Sequence, residues 1–129
     1  MKLMISGSRT ATTAKDIEKL HEHLARLQPT HILHGGAKGA DEIAEKWAKQ
    51  NGIPTTIIKP NYARDNQAAP HLRNDELIKQ ADGVLCYYAT NDGSKTAGTA
   101  SVAIKAKKQN KLIAEIYRTE PTAQQTKLF

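Results

Sequence analysis

The sequence predicts an α/β fold: a three-layer sandwich with a mostly parallel five-stranded sheet and helices on both faces. Short apolar runs alternate with longer amphipathic segments along the chain. Glycine-bearing loops follow several of those runs, where a strand hands over to a helix. No internal repeat or low-complexity tract breaks the alternation, and 129 residues suffice for one domain with its own core. The expected division is a domain over residues 1–117 and an extended tail over 118–129, where periodicity stops and Pro121 intervenes.

Each element has a local cause. KLMIS (2–6) reads as a buried strand ending at Gly7. The next segment places Ile17, Leu20, Leu24 and Leu27 on one helical face, with Thr13 suited to cap it and Pro29 to stop it. THILH (30–34) is the second strand. The following helix turns Ile43, Ala44, Trp47 and Ala48 inward and ends near Asn51 and Gly52. PTTIIK (54–59) is the third strand, closed by Pro60. A loop, NYARDNQAAPH, leads into a helix around LRNDELIKQA. GVLCYYA (83–89), rich in β-formers, is the fourth strand, and TNDGSKTAGT is a loop feeding a helix at ASVAIKAKKQ. KLIAEIY (111–117) is the last strand. Right-handed crossovers place helices on both faces of such a sheet, and ligands bind beyond the carboxyl ends of its strands.

Composition narrows the function classes. Hydrophobic residues make up 39% and charged residues 25%, the range of a globular protein rather than a disordered one. No apolar run approaches the roughly 20 residues needed to span a bilayer, and MKLMISGSRT is too short in its apolar part for a secretory signal. Cys86 is the single cysteine, so no internal disulfide forms and cytoplasmic residence is expected. The net charge of +6 favours anionic partners, nucleic acid among them. The lysines of IKAKKQNK (104–111) also suit a solvated face near a helix C-terminus.

Three loops carry the chemistry: SGSR (6–9), HGGAKGAD (34–41) and GSKTAGT (93–99). Following strands one, two and four, they emerge on one edge of the sheet. Unpaired amides in glycine turns and at helix N-termini hold anions. Ser6, Ser8, Thr99 and Ser101 add hydroxyls, while Arg9, Lys38 and Arg73 suit phosphate oxygens. The plainer alternative is that these glycines only permit tight turns. Neither a G-x-G-x-x-G fingerprint nor a P-loop is present, so an ATPase is not expected.

Other residues read as structure. His34 is a candidate acid–base group or a packed strand-end histidine. His21, His23, His31 and His71 show no metal-ligand spacing, and no metal or cofactor is expected. Cys86 and Trp47 fall on apolar faces. Tyr62 follows a strand end and is placed to stack on a base, whereas Tyr87 and Tyr88 point opposite ways in their strand.

Taken in order, ISGSR, HGGAKGADEIAEKWA, the Arg-Asn of HLRND and the late Gly-Thr resemble the YspA-like branch of the SLOG superfamily, over roughly residues 1–115. That superfamily includes the SMF/DprA proteins and the LOG phosphoribohydrolases. The resemblance implies a Rossmann-like fold, a nucleotide-type ligand and a homo-oligomer. It assigns the ligand to Gly7, Ser8 and Arg9, to Gly35, Gly36, Lys38, Gly39 and Asp41, to Arg73 and Asn74, and to Gly98 and Thr99. Asp41 is open to two roles, binding a ribose hydroxyl or capping its helix. LOG-like members carry Pro-Gly-Gly-x-Gly-Thr-x-x-Glu; here the Pro-Gly-Gly is missing and Val102 stands at the glutamate. Valine can neither stabilise an oxocarbenium-like centre nor activate water.

The leading expectation is therefore a nucleotide-binding sensor, sequestering protein or regulator. A hydrolase of nucleoside monophosphates using Asp41, Asp75 or Glu76 is the enzyme alternative. A third reading rests on QTKLF (125–129), which resembles a bacterial sliding-clamp peptide through Gln125, Leu128 and Phe129. It would tether a DNA-metabolism accessory protein. The alternative is that Leu128 and Phe129 pack on the domain or on a subunit interface.

Overall fold

The structure, a computed structural model, describes residues 1–120. The proposed clamp peptide lies outside the described residues. Five strands form one all-parallel sheet: β1 (Lys2–Gly7), β2 (His31–His34), β3 (Thr55–Ile57), β4 (Gly83–Tyr88) and β5 (Leu112–Tyr117). Their spatial order is β3-β2-β1-β4-β5. The chain winds outward from β1 to β3, then crosses back to β4 beside β1, so the order reverses between β1 and β4. β4 is buried along its whole length, as expected of an interior parallel strand covered on both faces.

Helices α1 (Ala14–Leu27) and α2 (Ala40–Gln50) cover one face. They bury Leu20, Leu24, Ala44, Trp47 and Ala48 against Leu3, Ile5, Ile32, Leu85 and Tyr87. On the other face, the single-turn α3 (Tyr62–Asp65) and a 3-10 turn (Asn66–Ala68) lead into α4 (Ala69–Gln80), followed later by α5 (Ala97–Lys108). Leu77, Ile78, Val102, Ala103 and Ala106 pack there on Met4, Leu33, Val84, Cys86 and Tyr88. Alternate residues of each strand thus serve opposite cores, and Tyr87 and Tyr88 separate accordingly. The expected three-layer α/β architecture is the one observed.

Helix starts differ from the sequence expectation at α4 and α5. Each begins about a turn earlier than the apolar periodicity suggests. Pro70 sits in the first turn of α4, where its missing N–H costs nothing and its fixed φ favours entry. In α5 the earlier start, with Thr96 at the capping position, puts Gly98 and Thr99 in the opening turn rather than the loop. The start of α1 is as expected. Thr13 Oγ1 accepts from the Asp16 amide at 3.2 Å, and Asp16 Oδ2 accepts from the Thr13 amide at 3.1 Å.

Candidate functional site

The HGGAKGAD loop is shaped by an internal anion. Asp41, the second residue of α2, turns back so that its Oδ2 accepts from the Gly35 and Ala37 amides, each at 3.2 Å. Between them, the Gly36 amide donates to His34 Nδ1 at 3.0 Å. With Nδ1 accepting, Nε2 carries the ring proton and donates to Glu45 Oε1 at 2.6 Å. The amides that sequence reasoning offered to a phosphate are therefore already engaged. A carboxylate fills the nest, and its role is to hold the loop rather than to cap its helix. Burial raises the Asp41 carboxyl above its ordinary value; the Ala37 amide, His34, the Gly35 amide and Arg73 oppose that rise.

Two of the glycines serve close approach within the fold. A Cβ on Gly39, whose φ is +80°, would lie 2.3 Å from Ser8 O and 2.7 Å from Arg9 O. The second loop thus rests backbone-to-backbone on the first. A Cβ on Gly7 would sit 2.4 Å from Ala40 Cβ, so this glycine lets the start of α2 close on β1.

A cleft of about 410 Å³ opens where the strand order reverses, between the loop after β1 and the start of α5. Ser6, Gly7, Ser8 and Arg9 line one side, Gly35, Ala37 and Asp41 a second, and Arg73, Asn74 and His71 from α4 a third. Thr96, Gly98 and Thr99 complete it. The α5 N-terminus has no side-chain cap, although Thr96 stands at the capping position. Thr96 Oγ1 instead meets Ser8 Oγ at 3.1 Å, and Ser8 Oγ accepts from the Ala89 amide at 3.0 Å. Opening amides and the positive end of the helix dipole are left toward the cleft.

Gly98 differs from the other glycines here. A Cβ at this position would meet nothing within 4 Å. No contact in the fold calls for glycine there. The open space lies beside the uncapped amides.

Cationic groups face this helix end. Arg73 Nη1 donates to Gly35 O at 3.2 Å and Nε donates to Asn74 Oδ1 at 2.7 Å, which binds α4 to the second loop. A Cβ on Gly35 would fall 2.2 Å from Arg73 Nη1, so that glycine admits the guanidinium. Burial lowers the Arg73 proton affinity; Asp41 opposes this, and the charge of Arg9 adds to it. Arg9 is exposed and its side chain makes no hydrogen bond or ion pair among the described residues. The arrangement places like charges beside an uncapped helix start, which suits a multiply charged oxyanion.

Most of the expected ligand residues converge on this cleft. Gly36 and Lys38 lie instead along an adjoining groove, and Gly39 lies beneath the loops as a packing residue. Ser8 is buried and engaged by Tyr87, Ala89 and Thr96, so its hydroxyl is structural. Ser101 does not line the cleft, nor do Asp75, paired with Lys105 at 2.8 Å, and Glu76, which accepts from Gln80. Sequence reasoning missed Thr96 and His71. Thr96 directly precedes a helical run, the sequence signal of a cap. Nothing in sequence announces that Ser8 diverts it.

A family model described as the YspA, cpYpsA-related SLOG family (YAcAr) matches residues 1–64. The "Gene 61 protein" of Mycobacterium phage D29 is 33% identical over 97 residues, covering 67% of this chain and 75% of that protein. The chain belongs to the YspA, cpYpsA-related SLOG family. In this YAcAr protein the family match takes in the first two loops, while Arg73, Asn74, Gly98 and Thr99 lie beyond it. Val102, at the position where LOG-like members carry glutamate, is buried in the core beneath α5 and does not line the cleft. Among the described residues no cluster of metal-ligating side chains occurs, and no helix is long and apolar enough to cross a membrane.

Proposed function

We propose that this protein binds a nucleotide or nucleotide-derived ligand in the cleft and acts as a sensor, sequestering protein or regulator. One observation carries the reading: the uncapped start of α5, with open space at Gly98, faces two guanidinium groups across about 410 Å³. A phosphate accepts from the α5 amides and from Arg9, with Arg73 held behind by Gly35 and Asn74. Family membership supports a nucleotide-related ligand. Asp41 is the only carboxylate among the residues lining the cleft, and its inward oxygen is committed to loop amides. That commitment favours binding over turnover.

Calorimetric titration with a panel of nucleoside 5′-mono- and diphosphates tests the proposal. Wild type binds at least one of them, and Arg9→Ala weakens that binding about ten-fold or more through loss of a charge-assisted hydrogen bond. Absence of binding to every nucleotide, or an Arg9→Ala variant that binds as wild type does, overturns it. The burial-raised carboxyl of Asp41 favours one second reading, a hydrolase of nucleoside monophosphates. Release of free base on prolonged incubation, lost in Asp41→Asn, would establish that reading.

A further inference from the structure

The cleft has a neighbour. A groove of about 450 Å³ is lined by Arg9, Arg73, Lys38, Lys59 and Tyr62. It shares Arg9, Gly35 and Arg73 with the cleft, so the two spaces adjoin along a cationic border. Each falls within the size range of small-molecule sites, roughly 300–1,000 Å³.

Three features of the groove go beyond what the fold needs. No carboxylate lines it. Arg9, Lys38 and Lys59 make no side-chain hydrogen bond or ion pair among the described residues. Gathering such charges without a counter-ion is repulsive, and an anion bound between them relieves it. Tyr62 is 57% exposed at the rim, a large aromatic surface left in water. It lines the groove together with Arg9 and Arg73. An exposed ring beside a line of cations suits a base stacked next to its phosphate.

We infer that the groove is a second nucleotide subsite, so that the full ligand carries two phosphate groups, one in the cleft and one in the groove. Lys38 and Lys59 hold the second phosphate, and Tyr62 stacks the second base. This rests on the reading of the cleft as the first phosphate site. Ligands of this class are dinucleotides, joined by either a phosphodiester or a diphosphate bridge.

The test compares each ribonucleoside 5′-monophosphate with its 5′-phosphorylated homodinucleotide and its diphosphate-bridged dinucleotide, by calorimetry. Wild type, Lys38→Ala/Lys59→Ala and Tyr62→Ala are titrated; all three side chains are exposed, so the variants fold. At least one dinucleotide binds about ten-fold tighter than its monophosphate, from added charge-assisted bonds and stacking. The double-lysine variant erases that gain and leaves monophosphate affinity unchanged. Either bridge giving a lysine-dependent gain supports the inference and identifies the linkage. Monophosphate binding with no dinucleotide gain overturns the second subsite alone, as does a gain that survives loss of both lysines. Failure of every probe overturns the cleft reading as well.

Discussion

Arg118 grips Asp16 across 102 positions of chain, with Nη2 at 2.8 Å from Oδ2 and Nε at 3.0 Å from Oδ1. The same guanidinium donates to Thr10 O at 2.9 Å and to Asn91 Oδ1 at 3.2 Å. Asp16 is fully buried and also accepts from the Tyr87 hydroxyl at 2.5 Å. The end of β5 thereby fastens the loop after β1, the first helix and the loop after β4.

Arg118→Ala leaves the Asp16 charge buried and short of its main partner. The expected loss is about 3 kcal/mol, the lower end for a broken buried pair because Thr13 and Tyr87 remain. Urea unfolding at neutral pH measures it.

Acid titration of stability reports on the same pair. Burial alone would raise the Asp16 carboxyl, but bonds from Arg118, Tyr87 and Thr13 outweigh it and hold the group well below the usual carboxylate range. Its contribution is complete above the unfolded value of about 4 and is lost as pH falls toward the folded value. Urea midpoints of wild type should therefore decline below about pH 4, and Arg118→Ala should show a shallower decline.

Asp41 has the opposite sign. Its carboxyl is raised in the fold, so its titration adds stability at low pH that is lost as pH rises through the folded value. Asp41→Ala strands the Gly35 and Ala37 amides and costs about 1–3 kcal/mol. Asp41→Asn keeps an acceptor for those amides. Its deficit relative to wild type should be larger at acid pH than at neutral pH, which thermal melts across pH will show.

Gly98 and Gly39 make a discriminating pair. Alanine at 98 enters open space in the first turn of α5 and should stabilise the protein by up to about 0.5 kcal/mol while weakening nucleotide binding. Alanine at 39 meets Ser8 O at a positive φ and should destabilise by roughly 1–3 kcal/mol. Melting temperatures moving in the same direction for both would contradict this assignment.

Cys86 offers a check on the interior. Burial, with some help from Glu115, pushes its thiol up to about 12. A thiol-specific chromogenic reagent should leave it unmodified in the native protein and react promptly once the protein is unfolded in guanidinium.

Much of this was readable before any coordinates. Local signals sufficed for Thr13 at the start of α1, for the inward stripe of Ile43, Ala44, Trp47 and Ala48, and for the convergence of the glycine loops on one edge. What eluded the sequence depends on contacts between distant residues. Asp41 looked like a ligand or cap residue because its amide partners, at Gly35 and Ala37, become accessible only when the loop folds back. Thr96 is a helix-capping type whose hydroxyl is drawn away by Ser8, 88 positions earlier. Gly39 was assigned to ligand contact, whereas the backbone at Ser8 and Arg9 already occupies its missing side chain. The partner of Asp16 fell in a stretch expected to be tail.

The fastening at residue 118 also dictates an order of assembly. During synthesis every cleft residue leaves the ribosome before the arginine that locks their loops in place. A nascent chain halted inside its last strand carries a complete set of binding groups without this fastening. The linkage between Asp16 and Arg118 therefore closes only after all five strands have been made.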